Sequence, residues 1–383
     1  MNKIIKIILF LTLTFSLFLK GVFAEEKIKI GLLVPLTGKN SEIGQSIIKS
    51  TRLAINQINN LSIEIIPKDT ASSPEITLRS AKELDKLGVK IIIGPVFNEN
   101  LIYLDELSDL TFLSLTNKNN NGSRNIINAG INATSQLNAI QKFIELNEIK
   151  KTIFLTPDIN YKDEIEQAIS NSKIKTIESH IYSTDPTKLT KQIEEITNYE
   201  RRKQNLEDEI KRLEESSENN KEKLIEQLKK KDTLGNVGFD SIIIADFDES
   251  LKSVTTSLLY TDISPKEKYF ITLNQWFDES LLREKSSQPL YFPSINKKNY
   301  EDFSSEYFKQ YNQYPNQLSF LSFDLVGLIY YLILNNEFIV DKKIFIKKTF
   351  FKGKVGIFEI KNNKISHILN FYKVEDEVFK KIF

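Results

Sequence analysis

The chain contains no cysteine, one methionine, one tryptophan and two histidines among 383 residues. Without cysteine there can be no disulfide, thiolate metal site, cysteine nucleophile or lipid-bearing cysteine at a leader cleavage point. The two histidines, His180 and His367, fall in a predicted strand and a predicted hairpin, where structural roles fit them better than a metal pair. There is no G-x-S-x-G, and LTGKN at 36–40 lacks the spacing and the Ser/Thr of a phosphate loop. Nothing points to catalysis, a metal or a cofactor, so a non-enzymatic protein is expected.

Excess charge is missing as well: 52 basic residues face 51 acidic ones. A balanced chain offers no electrostatic footprint for nucleic acid. The first residues, MNKIIKIILFLTLTFSLFLKGVFA, have Lys3 and Lys6 ahead of an apolar run at 7–18, then a small-x-small site ending at Ala24. This pattern predicts a signal peptide cleaved after Ala24, with an uncleaved anchor as the alternative. Cleavage leaves 49 basic and 51 acidic residues. No other segment reads as a membrane span, so an exported, periplasmic protein is expected. Its length suggests two domains.

What is present is an alternation of short apolar strands and amphipathic helices. The stretch 27–59 reads as a buried strand (KIKIGLLV), a loop with Pro35 and Gly38, and a helix capped by Ser41. Strands follow at 62–67, 90–94, 111–115 and 125–129, with helices at 73–87 (Ser73 cap, Pro74 first) and 134–147. A second unit begins at Lys151, with strands at 152–155, 174–182, 241–245 and 269–273. Helices are expected at 162–170, 249–259, 299–311 and 318–334, and a closing hairpin turns at Asn362-Asn363. Between 187 and 233 the pattern is interrupted by dense mixed charge. Leu206, Ile210 and Leu213 form a thin coiled-coil seam that breaks at 216–220 and resumes with Leu224, Ile225 and Leu228. Two antiparallel helices joined by a polar turn are expected there, either a neutral solvated hairpin or a partner-binding arm.

Several pieces resemble the type I periplasmic binding proteins, specifically the leucine or branched-chain amino-acid binding group: GLLVPLTGKNSEIG, IIIGPVFNEN, FLSLTN, LTPDINYKDE and GKVGIFEIKNNKI. The resemblance implies an α/β fold of two doubly wound lobes with a hinge and an interlobe cleft. Lobe one would span 25–148, completed by about 277–350. Lobe two would span 149–276, completed by about 351–383, with the charged helical hairpin inserted at 187–233. The insertion NYERRKQNLEDEIKRLEE, with DTLGNVGFDSIII and YTDISPKEKYFITLNQW, is similar to the alphaproteobacterial branch of penicillin-binding protein activators. The first group implies a small polar solute, delivered to an ABC importer or sensed. The second implies regulation of a peptidoglycan synthase by protein contact.

The resemblance also places candidate ligand contacts. Donors from lobe one fall at Asn98, Asn100, Thr116 and Asn117, which alternatively are loop residues capping helices. Tyr161 matches an aromatic that covers the ligand from lobe two, or it is a surface tyrosine. The carboxylate expected to meet an α-ammonium group is absent from Asn274-Gln275-Trp276, leaving Asp246 and Asp278 as neighbouring substitutes. Trp276 can stack on a ligand or fill the hinge. Ile43 stands where an aromatic often precedes the first loop's glycine, Gly44.

Overall fold

In this computed structural model, residues 27–59, 63–118, 123–273, 276–277 and 279–383 are described. The expected signal peptide lies outside the described residues. The first lobe opens with β1 (Ile28–Val34), α1 (Ser41–Ile58), β2 (Ile63–Asp69), α2 (Pro74–Lys86), β3 (Ile91–Ile93), β4 (Thr111–Ser114) and β5 (Ile126–Asn128). The strands form an all-parallel sheet in the order β2-β1-β3-β4-β5. Ile30, Leu32, Leu33 and Val34 are at most 1% exposed, because helices cover both faces of β1. Ser73 caps α2 through its hydroxyl, with Pro74 in the first turn. Helix α1 differs from expectation: Asn40 stands at its N-cap without a capping side-chain bond, and Ser41 is the first helical residue.

The second lobe contains α3 (Ala133–Leu146), β6 (Thr152–Pro157), α4 (Lys162–Asn171), β7 (Thr176–Tyr182), α5 (Pro186–Ile196), α6 (Tyr199–Glu215) and α7 (Lys221–Leu228). It continues with β8 (Ser241–Ile244), α8 (Asp248–Tyr260), β9 (Tyr269–Thr272), the one-turn α9 (Ser280–Arg283) and β10 (Leu290–Ser294). The chain then adds α10 (Lys297–Tyr311), α11 (Gln317–Leu334), β11 (Thr349–Lys352), β12 (Ile357–Lys361) and β13 (Lys364–Ile368) to the first lobe, and β14 (Asn370–Glu375) and β15 (Val378–Lys381) to the second. The second sheet runs β15-β14-β10-β9-β8-β6-β7, and β11-β12-β13 make a small antiparallel sheet.

The lobe boundaries move from those expected. Strand β10 pairs with β9 and β14, so the chain returns to the first lobe after Ser294 rather than near 277. Ile295 to Ile365 then contribute to the first lobe's core, and β14 and β15 close the second sheet, so the final crossing lies near 369 rather than 351. The first crossing falls at 129–132 rather than at 148–149, because α3 packs on the second sheet, so the chain passes between lobes at 129–132, 294–296 and 368–370. The charged interruption is shorter than expected. Leu189 and Ile193 of α5 are buried in the second lobe's core, which leaves α6 and α7 as the charged pair. Its seam buries Leu206 and Leu213, while Leu224 is exposed. Buried Arg202 ties the pair down by donating to the Thr197 and Thr261 carbonyls.

Helix α11 is long and apolar enough to cross a membrane, against the expectation that no second span exists. It is instead a core helix: two thirds of it is buried, packed against α1 and the first lobe.

Candidate functional site

In doubly wound sheets, ligands bind beyond the carboxyl ends of strands, beside the point where strand order reverses. Here the reversals fall between β1 and β3 in one lobe and between β6 and β8 in the other. A cleft of about 670 Å³ lies at those ends. Phe97 and Asn98 follow β3, Thr116 to Lys118 follow β4, and Gly130 and Ile131 follow β5. From the second lobe, Tyr161 and Glu164 follow β6, Phe247 and Asp248 follow β8, and Trp276 follows β9; Ile295 follows β10 where the chain re-enters the first lobe. Gln317 and Leu318 at the start of α11 complete the wall.

Each wall has its own chemistry. On lobe one, Thr116 is buried, and its Oγ1 accepts from the Lys118 amide at 3.2 Å, folding the loop back on itself. Gly130 lies so close that a Cβ there would sit 2.2 Å from the Thr116 carbonyl oxygen, so the β4 and β5 ends meet only because glycine has no side chain. On lobe two, Tyr161 and Phe247 stack at 6.4 Å with an interplanar angle of 25°. The Tyr161 hydroxyl donates to the Ala245 carbonyl at 3.4 Å. Burial, reinforced by the nearby Asp246 charge, raises the Tyr161 phenol far above its ordinary pKa, so it stays a neutral donor. Trp276 is half-buried and tilts against Tyr300 at 6.1 Å, on the first lobe's core cluster. The tryptophan therefore both lines the cleft and packs at the hinge.

Charge is divided between the walls. Lys118 and Glu99 belong to lobe one, Glu164 and Asp248 to lobe two. Asp248 has φ 52°, in the left-handed region that Asp tolerates better than most residues.

Of the residues singled out from sequence, Asn98, Thr116, Asn117, Tyr161 and Trp276 line the cleft. Asn100 does not: it is 1% exposed beneath the loop, and neither side-chain polar atom has a hydrogen-bond partner among the described residues. Asp246 does not line it either. Its carboxylate is 3% exposed and accepts from the Tyr182 hydroxyl, the Ser250 hydroxyl and the Phe247 amide, which commits it to holding the β8 end. Asn274 and Asp278 lie outside the described residues. Sequence reasoning missed Phe97, Lys118, Glu164, Phe247 and Asp248. Phe97, Lys118, Phe247 and Asp248 stand within four residues of a strand's carboxyl end, the one signal that could have found them.

Among the described residues no group of three or more His, Asp or Glu is placed to hold a metal ion. His180 lies 3.1 Å from Glu178 in β7, and His367 is buried at the hinge.

Residues 27–197 match a family model described as periplasmic binding protein. Comparison with curated protein sequences gives no match. Among solved structures, a putative branched-chain amino-acid ABC transporter protein from Rhodospirillum rubrum is similar at TM-score 0.68 and 13% identity, over 93% of this chain and 100% of that one. A solute-binding protein from R. palustris, solved with 4-hydroxybenzoate, is similar at TM-score 0.57 and 15% identity, over 93% and 96%. The C-domain of LpoA from Haemophilus influenzae, a regulator of PBP1A, is similar at TM-score 0.61 and 14% identity, over 93% and 100%. At these identities the likeness is one of fold.

Proposed function

We propose that this chain, built on the two-lobed fold of the type I periplasmic binding proteins, is a non-enzymatic periplasmic protein that closes on a small polar solute and presents the closed shape to an ABC importer or a sensor. One observation carries the reading: opposite charges and aromatic faces from both lobes converge on a single cleft at the strand ends. A solute with a carboxylate would meet Lys118 and the Thr116-Asn117 loop. An ammonium or hydroxyl on the same solute would meet Glu164 or Asp248, and its apolar body would lie against Tyr161, Phe247 and Trp276. Amino acids fit this division, and so do small hydroxylated aromatic acids such as the one held by the R. palustris neighbour. Because the ligand touches both lobes, it favours the closed state by its differential affinity, and hinge closure is the transition.

Calorimetric titration with a panel of amino acids and hydroxybenzoates tests this. Binding should raise the melting temperature, since a ligand at a hundred times its Kd adds about 2.7 kcal/mol. Absence of heat and of any melting shift across the panel would count against a solute-binding cleft.

A second reading is favoured by the inserted pair α6–α7, which adds nothing to the cleft lining, and by the fold likeness to the regulator domain. In it, the protein regulates a peptidoglycan synthase through surface contacts. Replacing 203–231 with a short Gly-Ser loop should then abolish capture of the synthase and leave solute binding intact. Capture that survives the replacement would sink this reading.

A further inference from the structure

We propose that the outer face of the β11-β12-β13 sheet, with the loop leading into it, is a docking surface for an anionic lipid membrane. The inner face of this sheet belongs to the first lobe's core, with Phe358, Ile360 and Ile365 at 0–3% exposure. Strand alternation therefore sends the other residues outward. The registers align Lys352 with Ile357 and Ile357 with Ile368, and set Lys361 against Lys364. Phe350, in the same outward set, is 49% exposed, Ile357 36% and Ile368 49%. Among the described residues, no second layer covers this face.

The charge here is one-sided. Between 334 and 368 there are eight lysines and three acids, in a chain whose formal net charge is +1. Seven of the lysines are exposed, and among the described residues only Lys348 of these seven is ion-paired, with Glu359 at 3.0 Å. Lys354, the eighth, turns inward to Glu306. The pairing of Lys361 with Lys364 sets like charges side by side across two strands, a repulsion that an opposing anionic surface relieves. The preceding loop repeats the pattern: Phe338, Ile339 and Ile346 are 46–59% exposed, interleaved with Lys342, Lys343 and Lys347.

Apolar side chains set singly among lysines suit an interface of headgroups. Each Phe or Ile enters the acyl boundary while the lysine stems lie along it and keep their charges at the phosphates. A protein partner would want a continuous apolar centre with a pocket for an anchor. Here the apolar residues are separated by charges. The surface is distinct from the cleft, so the inference does not depend on what the cleft holds.

The test is sedimentation of the full chain with vesicles of equal parts phosphatidylglycerol and phosphatidylcholine, against vesicles of phosphatidylcholine alone. Binding should occur with the anionic vesicles only and fall with added salt. Joint substitution Lys347→Glu, Lys352→Glu, Lys361→Glu and Lys364→Glu should weaken it by about tenfold or more. Phe338→Ser with Phe350→Ser should weaken it while keeping the salt dependence, and unchanged circular dichroism would show that both variants fold. The proposal is overturned if the protein ignores anionic vesicles, or if the charge-reversed variant binds as well as the parent. It is overturned equally if the lipid-free protein dimerises through this face and charge reversal dissolves the dimer.

Discussion

Two buried titratable groups, His367 at the hinge and Asp324 inside the first lobe, should make acid stability move in opposite directions. His367, at the end of β13, uses Nε2 to reach the Ala129 carbonyl at 2.8 Å, across two of the interlobe passages. A carbonyl only accepts, so Nε2 carries the proton. The ring is fully buried against Phe358 at 4.7 Å, and its Nδ1 has no partner among the described residues. Burial, only partly offset by the bond to Ala129, pushes its pKa down to about 4 from 6.5. Asp324, in α11, accepts from the Lys354 and Val355 amides and so fixes the turn before β12. Burial pushes its carboxyl up to about 7 from 3.8. For His367 the folded pKa lies below the unfolded one. The unfolded chain therefore takes the proton first, and stability falls as pH drops from about 6.5 toward 4. For Asp324 the folded chain takes the proton first, and stability rises as pH drops from about 7 toward 3.8. At about 1.4 kcal/mol per pH unit, acidification from pH 7 to about 4.5 costs roughly 2 kcal/mol through His367 and returns roughly 3 kcal/mol through Asp324. The parent should therefore look nearly indifferent to pH from these two groups. Replacing His367 by Gln keeps a donor for Ala129 and removes the descending limb, so this variant should gain stability on acidification relative to the parent. Asp324→Asn should be weaker at neutral pH, because one backbone amide loses its acceptor, and it should lose further stability in acid. Urea unfolding at the two pH values, with unchanged m, reads the difference. Solvated carboxylates shift all three proteins alike and drop out. If the three curves run parallel with pH, the two groups do not titrate as argued.

Other outcomes follow from the same geometry. Trp276 is the sole tryptophan and lines the cleft, so its emission should shift in wavelength or intensity on solute binding, and fluorescence titration should give the calorimetric Kd. Gly130→Ala should drive the β4 and β5 ends apart, because its Cβ would meet the Thr116 carbonyl. A cost of about 1–3 kcal/mol in urea unfolding, with weaker solute binding, is expected. Arg202→Ala should leave the Thr197 and Thr261 carbonyls without their donor, at about 1–3 kcal/mol for each orphaned group. Limited proteolysis should then cut within 203–231 while the affinity of the cleft stays unchanged.

The legible part of the fold is the part with continuous apolar strands. The apolar residues of IKIGLLV, KIIIG and TFLSL are buried beneath helices on both faces and cannot be mistaken for surface. The hairpin was legible for a different reason. Asn362 and Asn363 take φ of 51° and 58°, the left-handed pair that a two-residue turn demands and Asn tolerates. Strand β10 was hidden because LYFPS carries Pro293, which argues against a strand, yet it pairs between β9 and β14. Missing β10 displaced the lobe boundary. Helix α5 was hidden by its polar face. Its two core residues, Leu189 and Ile193, are one turn apart, too short a stripe to separate it from the charged pair that follows.

The site was legible in position and not in residue, and Asp246 and Asp248 show why. Both follow β8, two residues apart, and either could have supplied the acid that the loop after β9 lacks. The choice between them is made by Tyr182, sixty-four residues away, whose hydroxyl reaches Asp246 only because β7 lies beside β6 and β6 beside β8. With Ser250 and its own neighbour's amide, that bond commits Asp246 to structure, and the next acid along is the one at the cleft. The same holds for Glu164 and Lys118. Lys118 stands in no family-like segment and Glu164 only at the very end of one, and each acquires its place only when the crossings at 129–132 and 294–296 set the strand ends of one lobe against those of the other. Distance along the chain tells where a loop begins. The partners across the sheet decide which of its charges are already spoken for, and so which remain to meet a ligand.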